Sequence, residues 1–286
     1  MSSSKSAVVK NNNNATREAI ISLANVGLKI SNEEILRDIN INILKGQTIS
    51  IIGKNGGGKT MLLRIISGLE KPTSGVFFAK DGIKMCYMPD IDFASLKFLP
   101  IRVEDFLLMF VSELSLTHKS YIKSIGFDHL MKTCLQNLSS GESKKLLFLS
   151  TIFQDGDVML FDEPEQNVDI DSRKQMMHIL TEDFAHVTKV IVSHDVGMVA
   201  ADTDNVICLN KTIHCQGRPE AISADSIAKM LPELSSFWSI YLNASHNERN
   251  NKPHNNALHS NVLHNSVSGG NGADSCGNKS HDLNDL

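Results

Sequence analysis

A glycine-rich segment in the first quarter of the chain has the residue types that bind a phosphate chain. It matches the pattern G-x-x-x-x-G-K-[ST] and consists of Gly53, Lys54, Asn55, Gly56, Gly57, Gly58, Lys59 and Thr60. Glycines let successive backbone N–H groups converge on a β-phosphate, the lysine neutralises the β and γ oxygens, and the threonine hydroxyl ligates Mg²⁺. This phosphate loop (residues 53–60), which kinases and GTPases also have, predicts a site for the phosphate chain of a nucleotide and Mg²⁺ rather than a glycine turn with a solvated lysine.

Two adjacent carboxylates end an apolar run later in the chain. In "VMLFDEPE" they are Asp162 and Glu163. Carboxylates at the end of a buried strand are costly unless they hold a cation or a proton in transit, although they can also simply cap the next helix. Beside a phosphate loop the chemical role is favoured. Asp162 is predicted to hold Mg²⁺ through water, and Glu163 to act as the general base that activates the attacking water.

Two further positions complete the predicted chemistry. His194 follows the apolar run "VIVS", so its imidazole is expected to hydrogen-bond the γ-phosphate and the attacking water. The segment "NLSSGESKKLLFL" (residues 137–149) places Ser139 and Gly141 at the start of a helical pattern, where small residues leave backbone N–H groups open to an anion. The chain thus offers a second anion site besides the phosphate loop.

The elements that must hold these residues form an α/β pattern. Predicted strands are "IISLANV", "TISIIG", "VMLFDEP" and "KVIVSHD", and "KTMLLRIISGL" is a predicted helix. Buried strands that end in polar residues are typical of parallel sheets with active residues at their carboxyl ends. After residue 100 the strand signal disappears, and periodic apolar residues indicate a helical subdomain at about 100–150.

The two ends of the chain differ in composition from its middle. Residues 1–18, with "NNNN", and residues 243–286, rich in Asn, Ser and His, have few large apolar side chains. Both are predicted to be disordered because they cannot form a core. One folded domain is therefore expected at 19–242, between a disordered leader and a disordered tail.

Composition argues against several classes of function. The net charge of −4 and the pI of about 6.3 are unlike those of nucleic-acid-binding proteins, so no nucleic-acid partner is expected. The five cysteines are widely spaced without a C-x-x-C, which suggests neither a disulfide framework nor a zinc knuckle and favours a reducing compartment. No stretch is long and apolar enough to span a bilayer, so a role at a membrane would need another chain.

Taken in order, these motifs resemble those of the ATP-binding cassette (ABC) family. After the phosphate loop come "LSSGE" at 138–142 in the position of the family signature, "LFDEP" at 160–164, "QNVD" at 166–169 as the dimer-contact loop, and His194 as the switch histidine. The resemblance covers roughly residues 20–242. It implies a P-loop NTPase cassette with a RecA-like core of parallel or mixed sheet, an antiparallel β part and a short helical subdomain.

The resemblance also implies partners. In cassettes the signature helix of one subunit faces the nucleotide held by the other, so Ser139 and Gly141 would close two ATP molecules into a homodimer. The stretch "VICLNKTIHCQGRPEAIS" looks most like the ATPases of zinc-uptake importers, although manganese-type and iron-type importers share much of the pattern. Such a subunit would be peripheral, on the cytoplasmic face of the inner (plasma) membrane. It would bind a polytopic permease and act indirectly with an extracytoplasmic metal-binding protein.

Four positions depart from the family pattern. Asp90 in "YMPD" replaces a Gln that contacts Mg²⁺ and the membrane subunit, and it is expected to retain the Mg²⁺ contact. Ile30 replaces the aromatic residue that stacks on adenine, Ser140 replaces a signature glycine, and Met61 stands where a second hydroxyl is common. None of these changes removes the phosphate, Mg²⁺ or base residues, so a working ATPase is expected.

Two other functions fit the same motifs. A soluble cassette ATPase could drive cofactor assembly without a membrane partner. A nucleotide-gated regulatory module could have been uncoupled from transport by Asp90. A neighbouring gene for a polytopic membrane protein would favour the transport subunit over both.

The tail contains five histidines and a cysteine, which are His246, His254, His259, His264, His281 and Cys276. Neutral imidazoles suit zinc, so a metal sensor or reservoir is one interpretation. The spacings fit no compact zinc motif, and ordering the loops between ligands costs entropy, so a polar tail without metal is the other.

Deletion of residues 244–286 is expected to leave the ATPase rate nearly unchanged, because no cassette motif lies there and the composition cannot support a core. The measurement is the steady-state ATPase rate of the full-length and truncated proteins, each with and without zinc. A zinc effect on the full-length protein alone would favour the metal-sensing tail instead.

Overall fold

The computed structural model describes residues 18–91, 100–193 and 203–230, together with Pro232 and Trp238. These residues form two sheets and the helices that pack on them. The strands are β1 (Ala19–Ile30), β2 (Glu33–Leu44), β3 (Thr48–Ile52), β4 (Ser74–Ala79), β5 (Met85–Met88), β6 (Val158–Asp162), β7 (Thr188–Val192), β8 (Asn205–Asn210) and β9 (Thr212–Gly217). The helices are α1 (Lys59–Ile66), α2 (Val103–Leu107), α3 (Leu116–Ser124), α4 (Ser140–Ile152), α5 (Ile170–His178), a π-helix (Ile179–Asp183) and α6 (Ala224–Met230).

A six-stranded sheet brings the predicted site residues to one edge. Its strand order is β5-β6-β7-β3-β8-β9, and every neighbouring pair is parallel except β8 and β9. The carboxyl ends of parallel strands meet at the same edge of a sheet. The phosphate loop follows β3, Asp162 ends β6, and Asp90 lies just beyond β5. Segments that are far apart in the sequence therefore converge at this edge.

The second sheet is antiparallel and shares a core with α1. Its strand order is β2-β1-β4, and fully buried side chains of this core include Leu36 of β2, Ile49 of β3 and Leu62 of α1. Helix α1 begins directly after Gly58, and Gly68, with a φ of 78°, turns the chain beyond the end of the helix. Burial of α1 between the sheets fixes the helix whose N-terminus carries the phosphate loop.

A short helical subdomain covers the other face of the six-stranded sheet. Alternate residues of β6 point to opposite faces, so Met159 and Phe161 pack with the helices while Val158 and Leu160 face the core around α1. Buried residues of α2, α3 and α4 form one hydrophobic cluster that also contains Phe127. Turns of 3-10 helix at Asp128–Leu130 and Leu135–Asn137 connect α3 to α4. Helix α4 is thereby held against the strand that ends in Asp162.

The fold class predicted from the sequence is confirmed, with its parallel or mixed core, antiparallel β part and helical subdomain. Strand β1 is longer than the predicted "IISLANV" because it continues past a register shift near Asn25, whose φ is 51°. The predicted leader, apart from Glu18, and the predicted tail at 243–286 lie outside the described residues. None of the helices in the described ranges is long and apolar enough to cross a membrane.

One cysteine pair was not predicted from the sequence. The spacing suggested no disulfide framework, and the structure places Cys208 of β8 and Cys215 of β9 as a single disulfide pair with Cα atoms 4.9 Å apart. Antiparallel pairing places these two residues directly opposite each other across the hairpin. This register depends on the position of the turn around Lys211, which a search for C-x-x-C spacing does not test.

Candidate functional site

The phosphate loop fits closely against the end of β8. A Cβ atom added to Gly53 would lie 1.9 Å from the carbonyl oxygen of Leu209, so only glycine fits there. Gly58 has a φ of 93°, in the left-handed region that favours glycine. The Lys211 N–H donates to the Gly57 carbonyl oxygen at 2.9 Å. The end of β8 and the β8–β9 turn therefore pack against the phosphate loop and hydrogen-bond to it.

Lys59 lies buried within the phosphate loop. Its side chain is 6% exposed, and its Nζ donates to the carbonyl oxygens of Gly53 at 2.8 Å and Lys54 at 3.1 Å. Burial lowers the pKa of Lys59, and the nearby carboxylates of Glu163 and Asp162 act in the opposite direction. The structure thus brings the loop lysine and both strand-end acids close enough to interact electrostatically.

Asp162 has the environment of a metal-binding carboxylate. It is 1% exposed, and its side chain is hydrogen-bonded by Thr60 and, at 3.4 Å through Oδ2, by the Tyr87 hydroxyl. Burial raises the pKa of Asp162, and the Thr60 hydrogen bond opposes that shift. Its Oδ1 has no hydrogen-bond partner within the described part of the chain. A buried carboxylate oxygen left unpaired beside a threonine hydroxyl is a donor set that Mg²⁺ or its water ligands would satisfy.

Glu163 follows directly where the chain turns away from β6. Its φ of 51° is in the left-handed region, which is uncommon for a residue with a Cβ atom and typical of functional turns. Its N–H donates to the Val192 carbonyl oxygen at 3.0 Å, so the turn is tied to the end of β7. The carboxylate is half-buried and close enough to Lys59 and Asp162 to shift their pKa values.

Asp90 is held by a lysine that the sequence analysis did not single out. Its Oδ1 accepts a hydrogen bond from Lys144 Nζ at 2.7 Å, and Lys144 is 3% exposed. Lys144 shares a face of α4 with Leu147 and Phe148, both buried. In the sequence, Lys144 stands at an apolar position of the α4 helical pattern, which indicates a buried lysine. The pattern does not show that Asp90 is its partner.

The LSSGE segment (residues 138–142) forms the predicted helix start. Ser139 is the N-cap of α4, and the Glu142 carboxylate accepts its N–H at 2.7 Å and its Oγ–H at 2.8 Å. These bonds, chiefly the one from the Ser139 backbone, lower the pKa of Glu142. The Ser139 N–H and hydroxyl at the predicted anion site are therefore already bound by the chain's own carboxylate.

The LSSGE segment is also fixed to the QNVD loop (residues 166–169). A Cβ atom on Gly141 would lie 2.2 Å from the Asn167 carbonyl oxygen, and Asn167 Nδ2 donates to Ser140 Oγ at 2.9 Å. Lys145 Nζ pairs with Asp169 Oδ2 at 2.7 Å. That bond, with others, holds the pKa of Asp169 well below its usual range. Ser140, which replaces a signature glycine, thus accepts a hydrogen bond from Asn167 that a glycine could not accept through a side chain.

His194 lies outside the described residues. Ser193 precedes it, and its Oγ donates to Glu165 Oε1 at 2.6 Å. Residues Asp162 and Val192 are paired across β6 and β7, so the chain leaves β7 at the same sheet edge as the acids. The role of His194 stays a prediction, as does the adenine contact expected at Ile30, which is 41% exposed.

Comparison with known proteins gives this arrangement a family context. A family profile described as "ABC transporter" matches residues 36–166. The zinc import ATP-binding protein ZnuC of Wolbachia sp. subsp. Brugia malayi is 33% identical over 218 residues, which are 74% of this chain and 88% of the relative. ZnuC of Haemophilus influenzae is 32% identical over 218 residues, which are 74% of this chain and 80% of that relative.

Solved structures share the fold. An inward-facing putative metal-chelate type ABC transporter superposes with a TM-score of 0.61 at 21% identity, over 74% of this chain and 88% of that one. A dimeric post-hydrolysis ATP-binding cassette bound to ADP and Pi superposes with a TM-score of 0.58 at 20% identity, over 69% and 98% of the two chains.

Proposed function

We propose that this chain is the ATP-hydrolysing subunit that drives a zinc importer, because it belongs to the ABC transporter ATP-binding family. Family membership makes the chain an ATPase of an importer. Zinc as the solute, Mg²⁺ as the cofactor and the roles of individual residues belong to the proposal. The observation that carries it is the convergence of Lys59, Asp162 and Glu163 at one sheet edge.

The residues divide the work of binding ATP. The backbone N–H groups of the phosphate loop and the Lys59 ammonium hold the β- and γ-phosphates. Thr60, Asp162 and Asp90 would hold Mg²⁺, which neutralises phosphate charge when bound. Lys59 already spans the mouth of the loop through two carbonyl oxygens, so it can exchange those bonds for phosphate oxygens without a large movement.

Hydrolysis needs a base and a positioned water. The half-buried Glu163 carboxylate accepts a proton from the attacking water. Its left-handed backbone and its bond to Val192 hold it at the strand end. His194 is assigned the hydrogen bond to the γ-phosphate, since it follows the strand paired with β6.

The proposed assembly contains two copies of the chain. Ser139 and Gly141 of one copy face the γ-phosphate held by the other, so closure requires both nucleotides. The dimer lies on the cytoplasmic face of the inner (plasma) membrane against a polytopic permease, which an extracytoplasmic metal-binding protein supplies. Support for zinc comes from relatives that are named zinc import ATP-binding proteins and match more than two thirds of their own length.

Metal transport by the reconstituted complex tests this proposal. The chain is co-purified with its membrane partner, placed in vesicles loaded with ATP and Mg²⁺, and supplied with radioactive zinc, manganese or iron. We expect ATP-dependent zinc accumulation that Glu163→Gln abolishes. Accumulation of manganese or iron instead of zinc would overturn the choice of solute. ATP hydrolysis without any co-purifying membrane protein would favour the soluble ATPase.

A further inference from the structure

Lys144 is a buried charge at the centre of the site. It lies on α4 and is 3% exposed. Its Nζ donates to Asp90 Oδ1 at 2.7 Å and to the Asp162 carbonyl oxygen at 3.3 Å. A buried ammonium group is costly unless it is paired and hydrogen-bonded. The Asp90 carboxylate is therefore the interaction that allows a lysine here.

The same contacts join three segments of the site. Asp90 lies beyond β5, Asp162 ends β6, and Lys144 belongs to the helix that begins at the LSSGE segment. Lys144 thus links the loop after β5 to the metal-binding strand end and to the signature helix. Asp90 is 43% exposed, so its carboxylate lies at the open side of this junction.

We propose that Lys144 is a positioning residue, which neutralises Asp90 and holds it so that a carboxylate can stand beside the nucleotide without repelling the phosphate chain. This inference rests on the proposed function only in taking the bound anion to be ATP. The pair works as a unit, because Asp90 without Lys144 adds a negative charge near the γ-phosphate. Lys144 without Asp90 leaves a buried ammonium with one main-chain acceptor.

Binding of a fluorescent ATP analogue in EDTA tests the effect on the nucleotide. The variants are Lys144→Met, which keeps the volume of the side-chain stem, Asp90→Asn, which keeps the shape of the carboxylate, and the double variant. Loss of one charge contact predicts that Lys144→Met weakens affinity about tenfold, and that adding Asp90→Asn restores it to within about twofold. In a Mg²⁺ titration of ATPase rate, Lys144→Met should lower the midpoint, because the Asp90 carboxylate released from Lys144 attracts the cation, and adding Asp90→Asn should raise the midpoint again.

Thermal unfolding of the nucleotide-free proteins gives a second readout. Asp90→Asn alone should lower Tm, because the amide oxygen can still accept the Lys144 hydrogen bond but carries no negative charge to balance the buried ammonium, and the double variant should recover part of the loss. Asp90 is partly exposed, so this variant is measurable even if Lys144→Met folds poorly. Because no ATP is present, this result is independent of whether the protein transports zinc.

Lys145→Met is the matched control. It removes the same charge from the next position of the same helix, where Lys145 pairs with Asp169 rather than Asp90. Its effects should be additive with those of Asp90→Asn. The proposal fails if Asp90→Asn leaves the Lys144→Met affinity and Mg²⁺ midpoint unchanged, or if Asp90→Asn is as stable as the parent.

Discussion

Lys59→Ala is expected to abolish detectable ATP binding. The Lys59 ammonium is buried inside the phosphate loop and aimed at the carbonyl oxygens that border it. Its removal leaves the β- and γ-phosphates without their charge partner, in a site that also contains Asp162 and Glu163. Charge-assisted bonds of this kind predict a loss of affinity of about 100-fold or more. Equilibrium binding of a fluorescent ATP analogue measures it.

Lys45→Ala is the control for this experiment. Lys45 is exposed in the turn before β3, at the end of that strand opposite the phosphate loop. The control loses the same charge and should bind ATP as the parent does. Unchanged affinity in Lys59→Ala would remove the basis for the phosphate-loop assignment. Circular dichroism of both variants separates lost binding from lost folding.

Glu163→Gln should retain ATP and stop turnover. Glutamine keeps the size and polarity of the side chain but cannot accept a proton, and general-base catalysis contributes about 10²–10⁴-fold to a rate. Hydrolysis no longer reopens the two-chain site, so the variant should elute as a dimer in size-exclusion chromatography with ATP and Mg²⁺. Turnover close to that of the parent would exclude Glu163 as the base.

Glu165→Gln is the matched control for Glu163→Gln, because it makes the same substitution two residues later in the chain. The Glu165 carboxylate is buried and accepts a hydrogen bond from Ser193 Oγ, which a glutamine oxygen can also accept. This variant should keep turnover and should not accumulate as a dimer. A Glu163→Gln protein that stays monomeric at saturating ATP would contradict the shared nucleotide site, even if its turnover is lost.

The sequence predicts the fold and the phosphate-binding half of the site because both depend on local patterns. Apolar runs followed by polar residues identified β3, β6 and β7, and the spacing of the glycines identified the turn before α1. These signals fall within segments of a few residues. The parallel sheet then places Lys59 and Asp162 together, since topology requires the strand ends to share an edge.

The remaining contacts could not be predicted because each joins segments far apart in the chain. The Asp90 departure was visible in the sequence, but its pairing with Lys144 depends on how α4 packs beside β5 and β6. Gly141 was interpreted as a small residue that exposes backbone N–H groups. The structure adds a packing reason, because the QNVD loop passes too close for a side chain. The Cys208–Cys215 pair likewise depends on hairpin register.

The support that the β8–β9 turn gives to the phosphate loop affects how the protein is made. The ribosome synthesises Gly57 early, but Lys211, whose N–H binds the Gly57 carbonyl oxygen, emerges more than 150 residues later. Strand β8, which pairs with β3 beside the loop, emerges equally late. Until then the nascent chain holds an incomplete phosphate loop, and loops that depend on distant contacts form slowly. ATP can therefore act as a folding ligand only after β8 and Lys211 have emerged.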